Sequence, residues 1–257
     1  MPPIVTFVRH AQGFHNLCEA NHAMRDPLLT DLGKQQCQTL SEVFHHTDID
    51  LVVASPLKRT IYTALYSFPE QTRQHGIIAL PDVQETSNLP CDTGSDRAEI
   101  EREFADKEVK LHLAMVTEDW HSKQGRYAPE RNAIEARARD ARQWLKARKE
   151  HHIVCVSHGG VLHYLTEDWT DHGKFEVSRR HHTQDIDNAD EMFQGTGWAN
   201  TEYRTYTFDP ASNSSASLIE TEESIQRRQP PKPLTQAEKV NLASVHGVDE
   251  KKLSAKV

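Results

Sequence analysis

Cysteine is scarce in this chain, and none of it is arranged to do structural work. Cys18, Cys37, Cys91 and Cys155 lie far apart and form no Cys-x-x-Cys pair, which argues against a disulfide framework and against a cysteine-built zinc site. Cys155 falls inside an apolar run, so reduced thiols in an intracellular protein are the expectation. Basic charge is also in short supply. Thirty Lys and Arg face 38 Asp and Glu, a net charge of −8, so neither nucleic acid nor an anionic membrane is an expected partner for the surface as a whole. Long apolar runs are missing too: no segment reaches the roughly 20 residues of a membrane span, and Met1-Pro2-Pro3-Ile4 holds no basic stretch leading into an apolar one. A soluble cytoplasmic protein is expected, with the nucleus as the alternative. The middle of the chain has no Pro/Gly/Ser-rich linker and no internal repeat, which predicts one main domain.

What the chain does have begins at Thr6-Phe7-Val8-Arg9-His10-Ala11-Gln12-Gly13-Phe14-His15-Asn16. Ile4 to Val8 is β-branched and apolar on both alternations, as suits a strand covered on both faces. Arg9 and His10 then fall at its carboxyl end, the edge where open α/β sheets bind ligands. An imidazole beside a fixed guanidinium is suited to receive a phosphoryl group. Downstream, Thr30 or Asp31 can cap a helix running to about His45, with Leu32, Leu40, Val43 and Phe44 on its core side. Asp50 to Ala54 predicts a second buried strand, and Ser55-Pro56 signals a helix start that places Arg59 one turn in. Ile77 to Leu80 predicts a third strand, followed by a polar loop from Glu85 to Gly94.

From Ser95 to Pro129 the pattern weakens, with helical pieces around Glu99 to Phe104 and Lys107 to Met115; this is expected to be a lid-like insertion. Trp120, His121, Lys123, Arg126 and Tyr127 within it are candidate substrate contacts. Glu130 to Glu150 predicts a helix with Ile134, Ala138, Ala141, Trp144 and Leu145 on one face. His152 to Ser157 is the strongest buried strand and runs straight into His158-Gly159-Gly160. Glu202 to Phe208 alternates like a late edge strand. Beyond Asp209 the composition turns to Ser, Pro, Gln and charge, so residues 210–257 are expected to be a partly flexible tail with a short helix at Thr235 to Leu242. Strands alternating with helices predict an α/β fold, a three-layer α/β/α sandwich with a mostly parallel central sheet.

Arg9-His10, Arg59, Glu85 and His158 each lie just past a predicted strand. If those strands are neighbours, two imidazoles and two guanidiniums converge on one crevice with a carboxyl at its rim. Such convergence is electrostatically costly unless a dianion is bound. The pairs His45-His46, His151-His152 and His181-His182 have no carboxylate or cysteine at ligand spacing, so they are expected on the surface, and no metal site is predicted.

Four segments carry a family resemblance. They are Val8-Arg9-His10-Ala11-Gln12 with Asn16; Leu29-Thr30-Asp31-Leu32-Gly33 with Gln36; Ser55-Pro56-Leu57-Lys58-Arg59-Thr60 with Thr63-Ala64; and Val156-Ser157-His158-Gly159-Gly160. In order and spacing they resemble the histidine phosphatase superfamily, in the branch that includes cofactor-dependent phosphoglycerate mutase. The resemblance covers about the first two thirds of the chain, with a looser match at Asn200-Thr201-Glu202, and places such a domain at residues 1–209. It implies that His10 is the nucleophile that becomes a phosphohistidine. It also implies that Arg9, Arg59 and His158 bind the phosphoryl oxygens with help from Asn16, and that Glu85 is the general acid/base. It implies a small phosphorylated substrate and no cofactor, and leaves oligomeric state open.

Two departures bear on the activity. Ala11 stands where glycine is commonest, and Thr86 to Gly94 lacks the basic and aromatic residues with which a mutase holds phosphoglycerate. Hydrolysis is therefore favoured over phosphomutase activity, with a non-catalytic phosphate-binding module or a pocket recruited to a specialised metabolite as further alternatives. Gly13 and Gly159 occupy the places where the acid phosphatase and phytase branch has arginine and aspartate, which disfavours that branch.

Overall fold

The computed structural model describes residues 1–44, 48–168 and 197–228. Two strands with no polar face set the centre of the sheet. Ile4–Arg9 (β1) and His152–Ser157 (β5) pair in parallel, with Arg9 opposite Ser157. Leu51–Ala54 (β2), Ile77–Ala79 (β3) and Leu111–His112 (β4) extend the sheet in parallel beyond β5. On the other side Tyr203–Phe208 (β6) runs antiparallel to β1, and Leu218–Glu220 (β7) antiparallel to β6. The order is β4-β3-β2-β5-β1-β6-β7.

Successive residues of the inner strands feed opposite cores, as the two-residue period of a strand requires. On one face Val5, Phe7, Val53, Ile153 and Cys155 pack with Ile134, Ala138, Ala141 and Leu145 of helix Arg131–Lys146 (α5) and Val161, Leu162 and Leu165 of Gly159–Thr166 (α6). On the other, Val8, Val52, Ala54, Val154 and Val156 pack with Cys37 and Leu40 of Asp31–Val43 (α1) and Ile61 and Ala64 of Lys58–Ser67 (α2). The result is the expected α/β/α sandwich. Pro69–His75 and Arg97–Phe104 form two shorter helices (α3 and α4), and Glu222–Arg227 a last one (α7). Among the described residues no helix is long and apolar enough to cross a membrane.

The structure corrects several sequence expectations. The buried stripe of α1 is Gly33, Cys37 and Leu40, whereas Leu32 and Val43 are about half exposed. A Cβ on Gly33 would lie 2.1 Å from the Gln12 carbonyl oxygen, so the helix seats its bare glycine against backbone, and that close approach fixes which face turns inward. Residues around Lys107 to Met115 form no helix; β4 adds to the sheet edge there. β6 is not an edge strand, because β7 lies outside it. Beyond Asp209, where a tail is expected, the chain supplies β7 and α7, with Ala216 and Ser224 buried. The helix expected at Thr235 to Leu242 lies outside the described residues.

His151 is exposed as expected, but His152 is buried. Its Nε2 lies 2.9 Å from Thr6 Oγ1, because strand alternation turns it inward. The pairs His45-His46 and His181-His182 lie outside the described residues. Among the described residues no group of three or more His, Cys, Asp or Glu is placed to hold a metal ion.

Candidate active site

β1, β2 and β5 end at one edge of the sheet, where His10 N–H donates to Ser157 O (2.9 Å) and Ser55 N–H to Val156 O (3.0 Å). The side chains that follow these strands meet beyond that edge. The His10 and His158 rings are 5.2 Å apart between centroids, and the His15 ring lies 5.3 Å from His10.

His10 is buried and held by its surroundings. Its Nδ1–H donates to the Ala11 carbonyl at 2.7 Å, which leaves Nε2 as the ring nitrogen with a free lone pair. Ala11 N–H donates to Thr63 Oγ1 of α2 (3.0 Å), and Asn200 Nδ2 donates to His10 O (3.0 Å), so the segment is fixed from both sides. Burial first, then the charge of Arg59, keeps the imidazole well below its ordinary value and therefore neutral. His158 is lowered by the same two causes in the same order. His15 is pushed down to about 2, again chiefly by burial.

Arg59, fully buried near the start of α2, links three segments. Nη1 donates to Cys91 O (2.6 Å), and Nη2 donates to Asp92 Oδ1 (2.9 Å) and to His158 Nδ1 (3.0 Å). Its Nε is buried with no hydrogen-bond partner among the described residues. A guanidinium cannot accept a hydrogen bond, so His158 Nδ1 is the acceptor and its Nε2–H donates to Ser55 Oγ at 2.9 Å. Ser55, part of the expected helix-start signal, instead orients this imidazole, while α2 starts at Lys58 with Leu57 as an N-cap that offers no side-chain hydrogen bond. Arg9 is half-buried and its Nη1 donates to Trp198 O. Asn16 is exposed at the rim, where its Oδ1 accepts from Gly13 N–H (3.0 Å) and closes the turn Phe14–Asn16.

Glu85 is buried at the N-terminus of α6. Its Oε2 accepts from Gly160 N–H (3.0 Å), and Oε1 accepts from Val161 N–H (2.9 Å) and Thr86 N–H (2.8 Å). These backbone donors fix the side chain at the head of the helix, where the first N–H groups have no partner within the helix. Among the described residues Oε2 accepts no second hydrogen bond. The Glu85 carbonyl is fixed as well, accepting from Lys123 Nζ (3.0 Å) and Arg137 Nη2 (3.1 Å). Arg9, His10, Arg59, Glu85 and His158 therefore come together, with Asn16 at the rim.

The family model of the histidine phosphatase superfamily, branch 1, matches residues 5–190. The chain belongs to that superfamily. Among its relatives, phosphoglycerate mutase-like protein 1 of Arabidopsis thaliana is 30% identical over 199 residues, 62% of this chain and 68% of that protein. Phosphoserine phosphatase 1 of Hydrogenobacter thermophilus is 38% identical over 58 residues, 23% of this chain and 28% of that one. Among solved structures, a mycobacterial glucosyl-3-phosphoglycerate phosphatase aligns with a TM-score of 0.52 at 18% identity, covering 85% of this chain and 97% of that one. The alpha-ribazole phosphatase of Shigella flexneri aligns with a TM-score of 0.50 at 18% identity, covering 84% and 95%. At such identities the structural likeness shows a shared fold.

Several groups in this histidine phosphatase site were not singled out by sequence. His15 carries no signal beyond its nearness to His10. Asp92 pairs with Arg59 and accepts from Ser87 Oγ (2.6 Å). Arg137 on α5 donates to the carbonyls of Asp82, Gln84 and Glu85. Of the five insertion residues named as substrate contacts, Trp120 is wholly buried: it packs where Gly94 has no side chain and donates Nε1–H to Ser95 O (3.2 Å). His121 lies against Asp96, and Arg126 binds Asp82 and Asp140. Tyr127 packs against the core. Lys123 alone reaches the site.

Proposed function

We propose that the protein is a metal-independent phosphatase that hydrolyses the phosphate monoester of a small molecule through a phosphohistidine on His10. One observation carries the reading: Nδ1 of a neutral, buried His10 is committed to Ala11 O, so Nε2 is the nucleophile and is held among Arg9, Arg59 and His158. In the first step His10 Nε2 forms the P–N bond as the P–O ester bond breaks, and Glu85 delivers a proton to the departing oxygen. In the second, Glu85 takes a proton from the water that attacks phosphorus, and the P–N bond breaks. Phosphoryl transfer demands in-line placement and charge neutralisation more than further covalent help. The partnerless Nε–H of Arg59 is a donor suited to an equatorial oxygen.

Hydrolysis is favoured over mutase chemistry because a mutase needs cations to hold the second half of its intermediate. The insertion's arginines are turned elsewhere: Arg97 to Glu101, Arg102 to Ala98 O and Arg126 to Asp82.

The test is turnover of a panel of phosphate esters in the presence of EDTA, with acid-labile radiolabel sought on the protein. The wild type is expected to work at full rate in chelator and to carry the label, and His10→Ala to lose both. Glu85→Gln is expected to slow esters of poor leaving groups by about 10²–10⁴ and nitrophenyl phosphate much less. Full activity of His10→Ala, or strict metal dependence, would remove the mechanism.

A further inference from the structure

The insertion between α4 and α5 delivers one amino group to the site, on strained backbone. Lys123 has a φ of +55°, a left-handed conformation that costs a non-glycine residue free energy and concentrates at functional sites. Its side chain is buried, and among the described residues Nζ makes one hydrogen bond, to Glu85 O at 3.0 Å, although an ammonium carries three N–H donors. The charged and titratable groups facing it are Asp92 on the turn Pro90–Asp92, Glu85 at the α6 N-terminus, Arg137 on α5, Arg59 on α2 and His158 after β5. A long, flexible amine held there, with donors unspent, is placed to meet a ligand.

We propose that Lys123 is a third cation of the phosphoryl site, engaging the substrate on the Glu85 side, where the ester oxygen departs. This rests on reading the pocket as a phosphoryl site. The acceptor of Lys123 is the backbone carbonyl of the residue assigned to protonate the leaving oxygen. A proton linkage follows. Burial lowers the amine to about 7 against the opposing pull of Asp92 and Glu85, so it is part neutral near pH 7 in the free protein. A phosphoryl dianion beside it favours the ammonium. Above pH 7 binding therefore draws in one proton, and affinity falls up to tenfold per pH unit until the bound-state value is reached.

The probe is inorganic phosphate, titrated calorimetrically into the full chain at pH 7, 8 and 9 in buffers of different ionisation enthalpy. Uptake approaching one proton is expected for the wild type at pH 8. Lys123→Arg, which stays charged, is expected to bind without that uptake and with a flatter pH dependence; comparing the two cancels the ionisation of phosphate itself. Lys123→Met is expected to bind at least tenfold more weakly at pH 7. If that variant does not fold, the wild-type proton count still decides. No proton uptake by the wild type, or identical pH profiles for wild type and Lys123→Arg, would overturn the proposal, and failure of phosphate to bind would overturn both it and the phosphatase reading. Because the measurement needs no turnover, a protein that hydrolyses esters without the linkage refutes only the role of Lys123.

Discussion

Arg137 is the residue on which the placement of Glu85 should depend most. It is fully buried, and its guanidinium donates to three backbone carbonyls: Asp82 O at 2.7 Å, Gln84 O at 2.6 Å and Glu85 O at 3.1 Å. Arg137→Met keeps much of the aliphatic volume and strands those acceptors. Hydrogen bonds from a charged donor contribute roughly 1.5–3 kcal/mol each, so the gross loss is about 5–9 kcal/mol. The guanidinium is itself destabilised by burial, which pulls it from 12.5 to about 10; at about 1.4 kcal/mol per unit the substitution regains about 3 kcal/mol. The net cost is about 2–6 kcal/mol, a large share of the roughly 5–15 kcal/mol of a typical domain. For a chain of this size about 4 kcal/mol lowers the melting temperature by ~8–16 °C. Turnover should fall too, because a shift of about 1 Å in a catalytic group can cost ~10²-fold. Arg137→Lys should lie between the two, since one ammonium cannot span all three carbonyls. Urea unfolding and steady-state kinetics at a temperature where the variant is folded decide the matter. Stability within about 0.5 kcal/mol of wild type together with unchanged kcat would refute the reasoning, because such changes belong to uninvolved surface sites.

Two further outcomes follow from the same geometry. Gly33→Ala should destabilise by about 1–3 kcal/mol despite the better helix former, because the new Cβ would lie 2.1 Å from the Gln12 carbonyl oxygen. Gln12 is two residues from His10, so kcat should drop with the melting temperature, and an unchanged melting curve would contradict the close approach. Stability should also fall steeply in mild acid. His10, His15 and His158 are held neutral by burial, with folded-state values below 6.5. As pH falls through 6.5 the unfolded chain binds protons that the folded chain does not, so the contribution of these three rings is full above that pH and lost below it. Three such groups give a limiting slope of about 4 kcal/mol per pH unit. A flat urea midpoint between pH 7 and pH 5.5 would show that these rings titrate normally.

The half of the site built on strand ends was legible from sequence because its signals are contiguous. A β-branched apolar run followed at once by Arg9-His10, or by Ser157-His158, marks both the strand and its ligand-facing edge. Register then does the rest, since Arg9 opposite Ser157 brings His10 and His158 to one level. Helix faces were less legible. α1 chose Gly33 over Leu32 because a missing side chain allows closer packing than a large one, and a count of apolar positions scores that the wrong way. Arg137 and Arg142 look like solvated arginines on α5. They are buried because segments elsewhere in the chain bring carbonyls to them, Tyr164 O near the end of α6 and Ser215 O in the case of Arg142.

That asymmetry has a chemical consequence. The proposed phosphoryl-binding groups Arg9, His10 and His158 lie at or just past the ends of rigid strands, with Arg59 near the start of α2, where residue order alone reports them. Asp92, on the Arg59 guanidinium, and Lys123, on the Glu85 carbonyl, come from turns whose conformation no periodicity encodes: a 3-10 turn opened by Pro90, and a left-handed lysine. Glu85 is shared between the two sides, its carboxylate on α6 and its carbonyl on Lys123 and Arg137. Substitutions in the turns should therefore weaken phosphate binding and leave partial turnover, whereas substitutions at the strand ends should remove turnover for every ester alike.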